Sequence, residues 1–174
     1  MRIILLLFVT AAISTGAFAQ TGIKWQKTAI GNSGAFVYMP GPCEPAVMEK
    51  SPDSSLVYTM NSVVDNYVFD VVFVKMSERV GPDEMEPLLI SYMDFLKGTF
   101  EVTSAAGYGK GHTLSTHDTA KGVLDYWTDK AGNSITIMGW IDAQYIAVLA
   151  ITGTKSADYN VSDVFRKGIR FPGD

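Results

Sequence analysis

The chain has 174 residues but only one cysteine, Cys43, and two histidines, His112 and His117. A single cysteine excludes an intrachain disulfide, so hydrophobic burial has to hold the fold together. Basic residues are also scarce. There are 14 Lys and Arg against 18 Asp and Glu, a net charge of −4, and no cluster of positive charge stands out. Phosphate backbones are held by grouped Lys and Arg, so nucleic acid is excluded as a partner class. No Gly-x-Ser-x-Gly nucleophile motif occurs. The glycine-rich stretch Gly107-Tyr108-Gly109-Lys110-Gly111-His112 lacks the spacing of a phosphate-binding loop and reads as an ordinary exposed loop. Low-complexity linkers and internal repeats are absent as well.

What the N-terminus does contain is an export signal. Arg2 supplies a positive start, Ile3 to Ile13 form an apolar stretch, and Ala17-Phe18-Ala19 fits the small-x-small pattern of a cleavage site. The stretch is too short to span a bilayer, which takes about 20 apolar residues. Residues 1–19 therefore read as a signal peptide and residues 20–174 as one globular domain, periplasmic or secreted. No cysteine sits at the cleavage site, and Cys43 is too far beyond Ala19 to serve, so no lipid anchor is expected. No later apolar run is long enough for a membrane span. A chain of this length buries about 68–70% of its unfolded surface as a single domain.

Hydrophobic period then organises the chain. Gly34 to Pro40 reads as an early strand closed by Pro40-Gly41. Leu56–Val64 and Asn66–Met76 read as a hairpin turning at Asp65-Asn66. Alternate residues of a strand point to opposite faces. In the second strand Tyr67, Phe69, Val71 and Phe73 share one face, and Val68, Val72, Val74 and Met76 the other. Asp70 is the polar exception. A strand apolar on both faces belongs to a sheet covered on both sides. Between Pro82 and Phe100 the period changes to that of an amphipathic helix carrying Met85, Leu88, Leu89, Tyr92, Phe95 and Leu96. Pro87 places the regular helix start near Glu86. Strands return at His112–Asp118, Gly122–Asp129, Asn133–Ile141 and Gln144–Gly153, and a short helix follows over Ser156–Lys167. Strand runs separated by single helices predict an α+β fold. Its antiparallel sheet is expected to carry a covering layer on each face.

This layout resembles small exported bacterial proteins of the PsbP-like fold. The resemblance rests on Phe36-Val-Tyr-Met-Pro-Gly41, the hairpin after it, the middle helix, Gly122, the Gly139–Gly153 hairpin and Asp163–Phe171. It covers most of residues 20–174, and Pro42 stands where the pattern has a spacer. The resemblance implies an α/β/α sandwich, with helices on both faces of the antiparallel sheet, and accessory or binding roles: plant PsbP sits on a photosynthetic complex, and a cousin fold binds a small GTPase. It carries no catalytic residues to this chain and implies no cofactor.

The residues themselves leave three function classes. A non-catalytic accessory or binding protein of the cell envelope, with an unidentified protein partner, is favoured by the lack of any convergent nucleophile, base or metal set. A small-ligand module would use a cleft near the Gly107–Gly111 loop, with Tyr108, Lys110, His112, Trp127 and Trp140 as the contact surface. Aromatic packing under a helix competes with that role for the two tryptophans. A hydrolase would need His112, His117 and Asp118 together. Five residues apart, the two histidines point to opposite faces on a strand and about 140° apart on a helix, so only a loop could bring them together for catalysis or metal binding. Cys43 sits in Pro40-Gly41-Pro42-Cys43-Glu44-Pro45 with no base beside it, so it reads as a turn residue and not a reactive thiol. Asn160-Val161-Ser162 matches a glycosylation acceptor, but Asn and Ser also suit a helix start.

Expressed with its leader in a bacterial host, the exported protein is expected to begin at Gln20. Intact-mass measurement of the periplasmic or secreted fraction checks this, and retention of residues 1–19 would overturn it.

Overall fold

The fold is seen in a computed structural model that describes residues 23–174. The signal peptide assigned to residues 1–19 lies outside the described residues. The elements run β1 (Trp25–Ala29), β2 (Phe36–Pro40), β3 (Val47–Lys50), β4 (Leu56–Val64), β5 (Tyr67–Lys75), α1 (Pro82–Thr99), β6 (Val102–Ala105), β7 (Gly109–Leu114) and β8 (His117–Asp129). They continue with β9 (Ser134–Ile141), β10 (Tyr145–Gly153), α2 (Tyr159–Arg166) and β11 (Ile169–Arg170). One antiparallel sheet has the order β3-β4-β5-β10-β9-β8-β6, with β7 also paired to β8; a second has the order β1-β2-β11.

The centre of the large sheet is built by the sequences apolar on both faces. β10 lies between β5 and β9, with Val148 opposite both Val72 and Gly139. Val64 pairs with Tyr67 around the Asp65-Asn66 turn. Asp65 takes the left-handed conformation there, φ 54°, which Asp tolerates better than most residues. Phe69, Phe73, Leu149 and Trp140 face one core, and Val74, Val148, Ile137 and Val123 face the other.

What covers those two faces differs from the sequence expectation. An α/β/α sandwich was expected, with helices on both faces. The chain is mostly β instead, with 49% of residues in strands and 17% in two helices among those described, and its architecture is a β-sandwich of antiparallel sheets. The small sheet forms the second layer through Val37, Met39 and Ile169, with Ile30 just after β1 and Phe165 of α2 beside it. An apolar face demands a cover, but it does not specify a helix. The pairing of β11 with β2 joins the two ends of the described chain, and local periodicity carries no sign of it.

Helix α1 covers the other face. It begins at Pro82, earlier than Pro87 led us to expect. Glu84 accepts a hydrogen bond from the Gly81 N–H, which helps fix the first turn. Pro87 lacks only its own N–H, and both it and Asp83 are exposed, so the unpaired carbonyl meets water. The buried stripe is Met85, Leu89, Met93 and Leu96. Phe95, expected in that stripe, is 69% exposed. Gly139 lets α1 seat closely, because a Cβ there would stand 2.8 Å from Leu89 and Met93. Among the described residues no helix is long and apolar enough to cross a membrane.

The Pro40-Gly41-Pro42 turn behaves as a structural corner. Gly41 has φ 72°, and the buried Ser62 hydroxyl lies 2.6 Å and 2.9 Å from the carbonyls of Pro40 and Pro42. Cys43 is a free thiol, half-buried against the first core.

On the same core side, Gly122 lies opposite Trp140 in the β8–β9 ladder. A Cβ at Gly122 would come within 2.3 Å of the indole ring. The ring cannot swing away easily, since its N–H donates to the Arg166 carbonyl at 2.7 Å. Gly122→Ala is expected to lower stability by about 1–3 kcal/mol through overpacking, read from the urea midpoint; an unchanged midpoint would contradict the stated packing.

Candidate functional site

Geometry leaves part of the α1 face open. A helix with its side chains is about 10–12 Å wide, whereas strands are spaced at about 4.8 Å, so one helix covers only two or three strands. Helix α1 lies over β8 and β9 and reaches β6. Beside it the β3–β4–β5 half of the sheet forms the floor of a trough. Two neighbouring hollows lie along this flank, with volumes of about 810 Å³ and 340 Å³.

The floor follows from register. Val57 opposes Val74, Thr59 opposes Val72 and Asn61 opposes Asp70. Alternation puts these six side chains on the same face. Leu88, Tyr92 and Phe95 of α1 wall the larger hollow, and Leu96 and Phe100 wall the smaller. The Phe95 ring stacks on Tyr92 at 6.1 Å and stands exposed at the rim. Val47, 59% exposed, edges the smaller hollow from β3.

Asp70 is the chemically distinct group in this trough. It opposes Asn61 on one side and Ala150 on the other. Burial pushes its carboxyl up to about 6, because a low-dielectric site disfavours the charged form. No hydrogen bond or ion pair among the described residues reaches the carboxyl to offset that penalty. In the helix wall, burial pushes the Tyr92 hydroxyl up to about 12, so it remains a neutral donor. Carboxylates surround the two hollows: Glu49, Asp53 and Glu78 line the larger, and Glu44 and Asp70 the smaller, against the single base Lys50.

The residues singled out from sequence lie elsewhere. Tyr108 folds onto the opposite flank of α1 and donates to Asp94 at 2.6 Å. The Lys97 ammonium sits 4.7 Å from the Tyr108 ring and bonds the same Asp94; its hydrogen bond, then that of Tyr108, holds Asp94 below the usual carboxylate range. Lys110 pairs with Glu86 at 3.0 Å. The loop is thus tied down onto the helix. His112 faces Gly122 across the β7–β8 ladder. Trp127 and Trp140 are both buried but belong to different cores. The Trp127 N–H donates to Asp125, a fully buried carboxylate that also accepts from the N–H groups of Gly107 and Tyr126. Neither tryptophan lines either hollow.

His117 has carboxylate partners, but not the adjacent Asp118. Its Nδ1 lies 2.7 Å from Asp174 and its Nε2 3.3 Å from Asp142. Both ring nitrogens are occupied. Asp142 also accepts from the backbone of Gln144 and Tyr145, and Asp174 from Phe171. The cluster fastens the β9–β10 turn to the segment after β11. Asp118 itself is exposed. Among the described residues no group of three or more His, Cys, Asp or Glu is arranged to hold a metal ion.

Comparison with models of known protein families finds no match, and comparison with curated proteins finds none either. The trough was missed because Leu88, Tyr92 and Phe95 have the same spacing as core residues. Asp70, alone among apolar residues in its strand, was the one visible signal.

Asp70 makes stability depend on pH. Its folded value lies above the unfolded 3.8, so the folded state keeps a proton that the unfolded chain releases. Stability from this group is therefore full below about pH 4 and falls as pH rises to about 6. Asp70→Asn is expected to match the parent below pH 4 and exceed it at pH 7 by up to about 3 kcal/mol. Urea unfolding at both pH values checks this; equal stability at pH 7 would show that Asp70 is not desolvated.

Proposed function

We propose that this protein is a non-catalytic binding module of the cell envelope, exported by residues 1–19, that holds an elongated apolar ligand in the trough beside α1. The observation that carries the reading is an open, largely apolar trough whose floor carries a carboxyl group with no hydrogen-bond or charge partner among the described residues. A stability-optimal strand would place Val or Ile at position 70, as at its neighbours. A destabilising polar group in a concave apolar site marks a ligand-binding position.

The dimensions fit an extended molecule better than a compact one. Val57 to Asn61 spans about 14 Å along β4 at about 3.4 Å per residue. The channel has apolar walls, a few placed polar groups and aromatic side chains at its rim, which is the usual make-up of a small-molecule site. Phe95 at the rim would gain burial when the ligand arrives. The alternative cleft near the Gly107–Gly111 loop has less to recommend it, since Tyr108 and Lys110 are already engaged with α1.

Nile red, a neutral apolar dye, tests the reading. Saturable binding with a rise in fluorescence is expected. Thr59 is exposed on the trough floor, so Thr59→Trp fills the smaller hollow without disturbing the core. That variant is expected to weaken dye binding at least 10-fold at unchanged circular dichroism. Binding unaffected by Thr59→Trp, or no saturable binding at all, would overturn the reading.

A further inference from the structure

The charge lining of the trough narrows the ligand class. This step rests on the binding role just proposed. Apart from Lys50, every ionisable side chain with a full charge at neutral pH around the two hollows is acidic: Glu44, Glu49, Asp53, Asp70 and Glu78. Four of these stand at the exposed margins, where water screens them. Asp70 stands on the floor, between Val72 and Asn61 and near Leu96 and Phe100. A ligand lying along the floor therefore passes directly over one carboxyl group.

We propose that the ligand is a cationic amphiphile: a linear apolar body with an amine or related cation, whose charged group pairs with Asp70. The pairing resolves the desolvation problem of that residue. Burial alone opposes its ionisation, and a cation delivered into the same low-dielectric site favours it. The apolar body meanwhile covers Val57 and Val72, which α1 leaves part-exposed. An anionic amphiphile of the same shape would bring a second carboxylate against Asp70, and like charges at short range in such a site repel strongly. The acidic margins would act at longer range, raising the encounter rate with cations and slowing it for anions.

Other occupants make different demands. A basic peptide added to the β3 edge would use backbone hydrogen bonds and leave the floor contacts secondary. A second copy of this chain would bring its own acidic margin against this one, which is electrostatically unfavourable.

The test uses three linear twelve-carbon probes that differ only in head group: dodecylamine, dodecanol and dodecanoate. Each is kept below its micelle concentration at pH 8 and scored by displacement of Nile red from the purified protein. The amine is expected to bind at least 10-fold more tightly than the alcohol, as a charge-assisted hydrogen bond implies, and the carboxylate more weakly than either. Asp70→Asn is expected to abolish the amine's advantage over the alcohol. If all three probes bind equally, or if Asp70→Asn leaves the amine's advantage intact, the charge assignment fails while the binding role stands. If no probe or dye binds, the binding role itself fails. Binding of a basic, alternating peptide without any binding of dodecylamine, or dimer formation blocked by Thr59→Trp, would replace this ligand class with another occupant.

Discussion

The width of the central sheet set against the width of one helix is the constraint on which the rest of this structure depends. β5, β10 and β9 are apolar on both faces, and each face needs a cover. On one face a second sheet spreads laterally and, with α2, closes the core. On the other, a single helix about 10–12 Å across lies over a sheet several times wider. It seats where Gly139 lets it approach, over β8 and β9. The loop carrying Tyr108 and Lys110 buttresses one flank. The other flank, over β4 and β5, is left as a trough. No special loop is required to build the site, because it is the remainder of an incomplete layer.

That origin explains why the trough is apolar, and also why Asp70 is unusual in it. Val57, Val72 and Val74 belong to the same pattern that makes the central strands pack. Placing a carboxyl group in that row interrupts the pattern and lowers stability at neutral pH. Elsewhere the fold gives its partnered acids structural duties. Asp125 is fully buried but accepts three hydrogen bonds, from Gly107, Tyr126 and Trp127, and anchors a loop. Asp142 and Asp174 are held by His117 and by backbone N–H groups. Those acids have structural duties that account for them. Asp70 has none within the described residues, which is why its role is sought in a ligand.

Much of the large sheet was readable from the chain. The turn at Asp65-Asn66, the paired strands 134–141 and 145–153, and the middle helix all follow from short-range signals: turn residues, alternation and the helical period. Short strands such as β3 and β6 were not readable, because four residues carry too little pattern. The helix surface was only partly readable. Leu88, Leu89, Tyr92, Phe95 and Leu96 look alike in a helical period, and only the position of the sheet divides them into a buried stripe and a trough wall. His117 illustrates the same limit. Its neighbour in sequence is Asp118, but its partners come from a turn 25 residues later and from the segment beyond β11.

By itself the sequence determined that the central strands need cover on both faces, that Pro40-Gly41-Pro42 turns the chain sharply, and that Asp70 is out of place among its apolar neighbours. These are properties of single residues and of near neighbours, and physical chemistry reads them directly. Only the tertiary structure decided what supplies each cover: a second sheet on one side and one narrow helix on the other. That choice depends on pairings between distant segments, such as β2 with β11, and on the seat that Gly139 offers to α1. A hydrophobic face is satisfied by any apolar surface of matching shape, so its sequence demands burial without naming the partner. The trough, and the exposure of Asp70 to whatever enters it, follow from that partner's width.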